Sequence, residues 1–261
     1  MNRGRESLSI IIPAFKEAGK ITADVAAALT FLVSEQMPGE VIVVDDCSQD
    51  GTAQAVEAAG VNATRPVRAI RHEKNQGKGA AVRTGVLASK GDLVLFADAG
   101  CCIPFNDALR GLAMLGARQC EIAHASRRLA LNSIVRQAPP LRRFLSAVFR
   151  RAVPFIVPAG RGLTDTQCGF KLYRGSVARQ LYAASHCNGW LFDLEIIALA
   201  AHAGHRIHEF PVTWRCDRDS RVHPVRHFAK FVREAIILRQ RQAILRREDP
   251  SCSICPIPAL P

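Results

Sequence analysis

Residues 41–52, VIVVDDCSQDGT, set a run of β-branched residues directly before the paired carboxylates Asp45 and Asp46, and then a turn through Ser48, Asp50 and Gly51. Such a stretch reads as a buried strand that stops in a turn and hands the chain to a capped helix. The same grammar recurs on either side. Upstream, Leu8–Ile12 precede Pro13, Phe15 and Glu17, followed by a helical pattern from about Ala18 to Ser34. Downstream, Val67–Arg71 lead to a helix from Gly79, and Leu93–Ala97 lead to Asp98 and a further helix. Strand-helix alternation of this kind implies an α/β fold with a doubly wound, mostly parallel sheet. Ligands in such sheets bind at the carboxyl ends of the strands. Pro13 to Glu17, Asp45, Asp46 and Asp98 are therefore expected to share one crevice.

The chain has 261 residues, a length that suits a single α/β unit with a sizeable core. We expect one catalytic domain over residues 1–249 and a disordered, Pro-rich tail over residues 250–261. Lys and Arg total 35 against 23 Asp and Glu, a formal charge of +12, which points to an anionic partner: a nucleotide, a phospholipid headgroup or a nucleic acid. Only 6% of residues are aromatic, and the basic residues show no aromatic interleaving of the base-stacking kind, which argues against nucleic acid. No apolar run of about 18 residues suggests a transmembrane helix, and MNRGRESLSIII carries no secretory h-region. Nine cysteines at irregular spacing argue for a reducing compartment, with cytosol the default.

Residues 139–158 form an amphipathic, basic helical segment. At helical period, Leu141, Phe144, Leu145, Val148, Phe149 and Ala152 fall on one face, and Arg142, Arg143, Arg150 and Arg151 on the other. That pattern fits either a surface helix packed on the core or one lying at a membrane surface. The last helix, HFAKFVREAIILRQRQAILRR, repeats the theme, with Phe228, Phe231, Val232 and Ala235 close together.

The strand ends carry the candidate chemistry. Asp45 and Asp46 can accept hydrogen bonds from ribose hydroxyls or a base N–H, or can simply cap their turn; Pro13, Phe15 and Glu17 can form the neighbouring wall for a nucleobase. Asn75, Gly77, Lys78 and Gly79 open a helix whose N-terminus suits an anion, although the glycines can equally serve close helix-sheet packing. Neither P-loop spacing nor a Gly-x-Gly-x-x-Gly fingerprint occurs, so ATPase and dehydrogenase readings lose weight. Asp98 can hold Mg²⁺ or Mn²⁺ against a diphosphate. Arg127, after a strand over Ile122–Ser126, and Arg215 and Arg221, flanking CDRDS, can chelate phosphate oxygens.

In combination, DTQCGFKL (165–172), GKGAAVRTG (77–85) and WLFDLE (190–195) resemble the inverting glycosyltransferases of family two, and within them the dolichyl-phosphate and polyprenyl-phosphate hexosyltransferases, most of all the dolichyl-phosphate glucosyltransferase branch. The resemblance spans about Leu8 to Arg239. It implies a GT-A fold, a nucleotide-diphosphate sugar donor such as UDP-glucose or GDP-mannose, and a divalent metal, Mg²⁺ or Mn²⁺. It also implies transfer of a hexose to a polyprenyl or dolichyl phosphate by a peripheral protein at the cytosolic face of an anionic membrane. By motif match, Pro13, Phe15, Glu17, Val44 and Asp46 would line the nucleoside site. Asp98, Ala99 and Gly100 stand at the Asp-x-Asp position, with Asp98 the metal ligand; Arg127 would reach the phosphates; Arg215 and Arg221 would form the basic pair of a flap; and Arg143 would lie near the acceptor phosphate. Asp98, Arg127 and Arg221 are the expected catalytic groups. The resemblance brings no role for Asp165–Lys171 or for the stretch around Asp193.

Three positions depart from the family pattern. Gly100 replaces the second aspartate, Cys47 a glycine and Lys16 an asparagine. The first removes a hard oxygen ligand that Cys101 and Cys102, being soft, are poorly suited to replace. Two rival readings therefore stand beside lipid-phosphate transfer: a family-two transferase with a hydroxyl or polysaccharide acceptor, which needs a carboxylate base, and a catalytically silent nucleotide-sugar binder.

Overall fold

The computed structural model describes residues 6–129, 134–136, 140–215 and 228–248. In chain order its elements are β1 (Leu8–Ala14), α1 (Ile21–Ser34), β2 (Gly39–Asp45), α2 (Thr52–Gly60), β3 (Val67–Arg71), α3 (Lys78–Ala88), β4 (Leu93–Ala97), α4 (Ala108–Gly116) and β5 (Ile122–Ser126). They continue with β6 (Ile134–Arg136), α5 (Pro140–Ile156), β7 (Phe170–Arg174), α6 (Gly175–Ala184), α7 (Phe192–His202), β8 (Ile207–Pro211), β9 (Trp214–Arg215) and α8 (Phe228–Glu248). The strands form a seven-stranded sheet in the order β3-β2-β1-β4-β7-β5-β8, and β6 pairs with β9.

All strands of the large sheet run in one direction except β7, which is antiparallel to both β4 and β5. The expected doubly wound, mostly parallel α/β sheet is therefore present. From β1 the chain winds outward through β2 and β3, then returns to place β4 on the other side of β1, so the strand order reverses between β1 and β4. A crevice opens at the carboxyl ends of strands at such a reversal. Because β7 runs backwards, its amino end reaches the same edge, and Phe170 lies opposite Ala97. The DTQCG segment preceding β7 is thereby delivered beside Asp98.

Alternation along each strand builds two cores. Leu8, Ile10 and Ile12 face the layer of α1, α2 and α4 with Val41, Val43, Leu95 and Phe170. Ile11, Ile42, Val44, Val94 and Phe96 face α3, α6 and α7. Each fully buried aliphatic or aromatic side chain contributes roughly 1.5–3 kcal/mol relative to exposure, and strands covered on both faces read as the near-continuous apolar runs seen in the sequence.

Against the second core, α5 and α8 present narrower strips than the sequence pattern suggested. Phe149 packs on this core and meets Phe231 edge-to-face at 6.3 Å, and Val153, Val157 and Leu238 are buried. Val148, expected on the packed face of α5, is 52% exposed, and Phe155 is 73% exposed. On α8, Val232, Ile236 and Ile237 also face outward. Each helix thus carries an inner apolar strip and an outer one. Arg221, the tail and the side chains of Leu141, Arg142, Arg143, Phe144, Leu145 and Phe228 lie outside the described residues.

At Gly85, α3 makes its closest approach to the sheet. A Cβ there would lie 2.4 Å from Ile11 Cγ2 and 3.1 Å from Val44 Cγ2. We predict that Gly85→Ala destabilises the protein by about 1–3 kcal/mol through overpacking, a cost that exceeds the gain of up to ~1 kcal/mol in helix propensity. Urea unfolding of the variant checks it.

Candidate active site

The turn after β2 is held from within. Asp45 Oδ1 accepts the Ser48 N–H at 3.0 Å, and Arg71 Nε lies 3.6 Å from Asp45 Oδ2. The buried Asp46 spends both oxygens inside the protein: Oδ1 meets His72 Nδ1 at 2.8 Å and accepts Gln76 N–H at 2.8 Å, while Oδ2 accepts Gly77 N–H at 2.8 Å. The residue expected to reach a nucleoside therefore anchors the loop that opens α3. Val44 is fully buried, its side chain packed in the core behind the wall. Pro13, Phe15 and Glu17 are half-buried at the edge, and their loop is tied to the 48–52 turn: Lys16 N–H donates to Ser48 Oγ at 2.7 Å and Glu17 N–H to Thr52 Oγ1 at 3.0 Å.

Lys16 and Cys47, two of the departures from the family pattern, have φ of +59° and +64°. Asn and Gly tolerate this left-handed region far better than other residues. The substitutions leave the turns in place and load them with strain of roughly 1–2 kcal/mol each.

The N-terminus of α3 does not offer its amides to an anion. The Gly79 N–H donates to the carbonyls of Asn188 and Gly189, and the Ala80 N–H to Asn188. A Cβ on Gly77 would sit 2.4 Å from Asn188 O, and one on Gly79 would sit 2.3 Å from Cys187 O. The glycines of the GKG loop thus permit close packing against residues 187–189, and the anion reading of this helix end is corrected. Its cation acts elsewhere. Lys78 Nζ lies 2.7 Å from Asp98 Oδ1 and 2.9 Å from Oδ2, and sits 5.3 Å from the Trp190 ring centroid, 5.4 Å from Phe96 and 6.0 Å from Phe192.

Asp98 ends β4, one-third exposed, with Gly169 packed directly on its carboxylate; a Cβ at Gly169 would fall 1.9 Å from Oδ2. The Asp98 N–H donates to Gly169 O at 2.8 Å. Next along, Ala99 and Gly100 are half-buried, and Gly100 adopts φ +96°. The amides of Gly100 and Cys101 and the Cys101 thiol all point to the buried Asp24 carboxylate of α1. Burial, reinforced by the bond to Asp24, pushes the Cys101 thiol up to about 12, so it keeps its proton. Among the described residues no group of three His, Cys, Asp or Glu side chains is arranged to hold a metal. Asp98 alone does not build a divalent centre: one carboxylate, already paired with an ammonium, leaves the other ligands to a diphosphate and water.

Arg127 follows β5 and is locked to Asp165. Its Nε and Nη2 donate to the two oxygens of Asp165 at 2.6 and 2.9 Å, and its guanidinium lies 5.3 Å from the Trp214 ring centroid. Burial works against both charges, but each partner more than offsets it, holding Asp165 below and Arg127 above the ordinary range. The Thr164 and Asp165 amides donate to Glu209 on β8. Arg215 is exposed on β9, and its N–H donates to Cys102 O at 2.9 Å, which brings it to the loop beyond Asp98. Of the expected residues, the fold gathers Pro13, Phe15, Glu17, Asp46, Asp98, Ala99, Gly100, Arg127 and Arg215 at the carboxyl edge.

Single-sequence reasoning gave no role to five contributors: Lys171 and Asp193, quoted within motifs, and His124, Asp24 and Trp214, not singled out at all. Lys171 on β7 is fully buried and ion-paired with Asp193 at the start of α7, beside the fully buried His124. Asp24 and Trp214 lie far in sequence from the loops they support.

A doubly wound sheet with these carboxylates, arginines and glycines at one edge belongs to a glycosyltransferase: residues 9–181 match the model of glycosyl transferase family 2, and the chain is a member of that family. It is 32% identical to dolichyl-phosphate beta-glucosyltransferase of Mus musculus, across 90% of this chain and 76% of that protein. It is 30% identical to the Saccharomyces cerevisiae enzyme of the same name, across 94% and 78%. In fold it is similar to glucosyl-3-phosphoglycerate synthase from Mycobacterium tuberculosis in complex with Mn²⁺, uridine-diphosphate and glucosyl-3-phosphoglycerate. The TM-score is 0.68 at 17% identity, over 91% of this chain and 80% of that one.

We predict that Asp165→Asn costs about 3–5 kcal/mol, because it strands a buried guanidinium. Asp165 has a lowered pKa in the folded state, so its contribution is complete above the carboxylate's ordinary pKa and is lost as pH falls through the folded value. Urea unfolding between pH 3 and 8 should show the gap between wild type and variant closing only at the acid end.

Proposed function

We propose that this glycosyltransferase moves glucose from UDP-glucose to a polyprenyl or dolichyl phosphate, with inversion, at a membrane surface. The observation that carries this reading is the commitment of the carboxylates at the edge. Asp98 is held by Lys78, Asp165 by Arg127, Asp193 by Lys171, Asp46 by His72 and two amides, and Glu209 by two amides. A hydroxyl acceptor needs a base to take its proton. A phosphate oxygen is already anionic near neutral pH and needs none, which favours the lipid phosphate over the hydroxyl acceptor.

In the proposed reaction, an acceptor phosphate oxygen attacks the anomeric carbon of glucose from the face opposite the nucleotide. The bond from that carbon to the diphosphate breaks as the new one forms, and the nucleoside diphosphate leaves with the electron pair. Charge developing on the leaving group is met by Arg127, Arg215 and Arg221. Pro13, Phe15 and Glu17 form the nucleoside wall, backed by Val44 and Asp46. Asp98 is the residue that would hold a divalent ion brought by the donor, which would supply further positive charge to the departing diphosphate. The name of the relatives and the UDP-bound state of the structural neighbour support UDP-glucose over GDP-mannose. Dolichyl or other polyprenyl phosphate follows from the relatives' name as well.

No helix among the described residues is long and apolar enough to cross a membrane. The outer strips of α5 and α8, with Val148, Phe155, Val232 and Ile236 beside Arg151, supply a basic, apolar face suited to the cytosolic surface of an anionic bilayer. Each arginine near such a surface adds about 1 kcal/mol of attraction.

Purified protein incubated with polyprenyl phosphate should form lipid-linked glucose from UDP-glucose and little product from GDP-mannose. A silent binder, the reading favoured by the Lys78–Asp98 pair, would bind UDP-glucose and yield no product with either donor. Replacing Arg142, Arg143, Arg150 and Arg151 by Gln should release the protein from phosphatidylserine vesicles in a co-sedimentation assay; unchanged pelleting would exclude docking through α5.

A further inference from the structure

We propose that Lys78 is the resident counter-ion of Asp98 and stands where a divalent cation would have to bind, so that the donor-free protein holds Mn²⁺ weakly. The ammonium reaches both oxygens of the carboxylate at once, at 2.7 and 2.9 Å, and therefore covers the side a metal would approach. It is not a surface lysine that swings aside without loss. Its side chain is 17% exposed, and the rings of Trp190, Phe96 and Phe192 surround Nζ at 5.3–6.0 Å. Each ring attracts the cation through its quadrupole.

Gly169 packs against the carboxylate from another side, its lack of a side chain leaving just the room the Asp98 oxygens occupy. Among the described residues no cluster of three His, Cys, Asp or Glu side chains compensates for the loss. Gly100 offers no side chain, and its amide and that of Cys101 are fastened to Asp24, as is the Cys101 thiol. A metal ion would have to displace an ammonium from its aromatic cage and gain a single protein carboxylate in return. The inference shares the Lys78–Asp98 contact with the proposed function but rests on no particular acceptor. Tight Mn²⁺ binding would commit Asp98 to a metal and still leave it no free base, and a different acceptor would leave the contact unchanged.

The test is a titration of Mn²⁺ into the full chain without donor, followed through the EPR signal of free Mn²⁺. Wild type and Lys78→Arg should bind weakly. Lys78→Met and the polar Lys78→Gln should bind one ion more tightly by on the order of tenfold, since a positive charge within contact distance has been removed. Adding Asp98→Asn to either variant should abolish that gain. Thermal unfolding gives a second reading: Mn²⁺ should raise the melting temperature of Lys78→Gln and leave that of wild type unchanged. Tight one-to-one binding by donor-free wild type overturns the proposal, as does a folded Lys78→Gln protein with no gain.

Discussion

A lysine and an aspartate face each other under the sheet, Lys171 on β7 and Asp193 at the start of α7, and neither could be buried there alone. Desolvation of one unpaired ion costs several kcal/mol, far more than the pair gains over an apolar equivalent. The constraint propagates. Pairing with Lys171 fixes where α7 begins, which sets Phe192 and, through the preceding turn, Trp190 around Lys78. The carbonyls of Asn188 and Gly189 then cap α3, and Phe96 lies between the two ammoniums, 5.4 Å from Lys78 and 5.8 Å from Lys171. In this way one antiparallel strand inserted between β4 and β5 organises a site whose other parts come from the parallel half.

The carboxyl edge follows a single electrostatic rule. Asp46, Asp98, Asp165, Asp193 and Glu209, which the fold draws in there, are each matched by a cation or by backbone amides before any ligand arrives. In two of these matches, Lys78 with Asp98 and Arg127 with Asp165, the cation also lies over an aromatic ring, Trp190 and Trp214 respectively. An edge with its acids already neutralised, on a chain of formal charge +12, is disposed toward an anionic donor and an anionic acceptor. It is poorly disposed to abstract a proton. The chemical preference is therefore written in the pairing of charges rather than in the presence of any one catalytic carboxylate.

The departures from the family pattern acquire physical meaning in the same frame. Lys16 and Cys47 occupy backbone conformations that glycine or asparagine would adopt at lower cost, yet the hydrogen bonds from Lys16 to Ser48 and from Cys47 to Glu73 hold both turns. Gly100 is different. Its φ of +96° and its bond to Asp24 show a loop built around the absence of a side chain.

The strand positions, the order of elements, the mostly parallel sheet and the gathering of Asp46, Asp98 and Arg127 at one edge were legible in the chain, because hydrophobic runs closed by turn residues fix strand ends and sheet topology aligns those ends. Helix boundaries shifted by a few residues, as α1 did from Ala18 to Ile21, since periodicity marks the buried face and not the first turn, which here opens on backbone bonds to the Glu17 carbonyl. What the local pattern could not express is partnership at long range. That Asp46 turns inward to Gln76 and Gly77, that Asp24 reaches Gly100, that Lys78 settles on Asp98 and that Lys171 meets Asp193 all depend on side chains 20 to 76 positions apart. A carboxylate looks the same in sequence whether it faces a ligand or an ammonium. Only the packed structure, by excluding water, decides which.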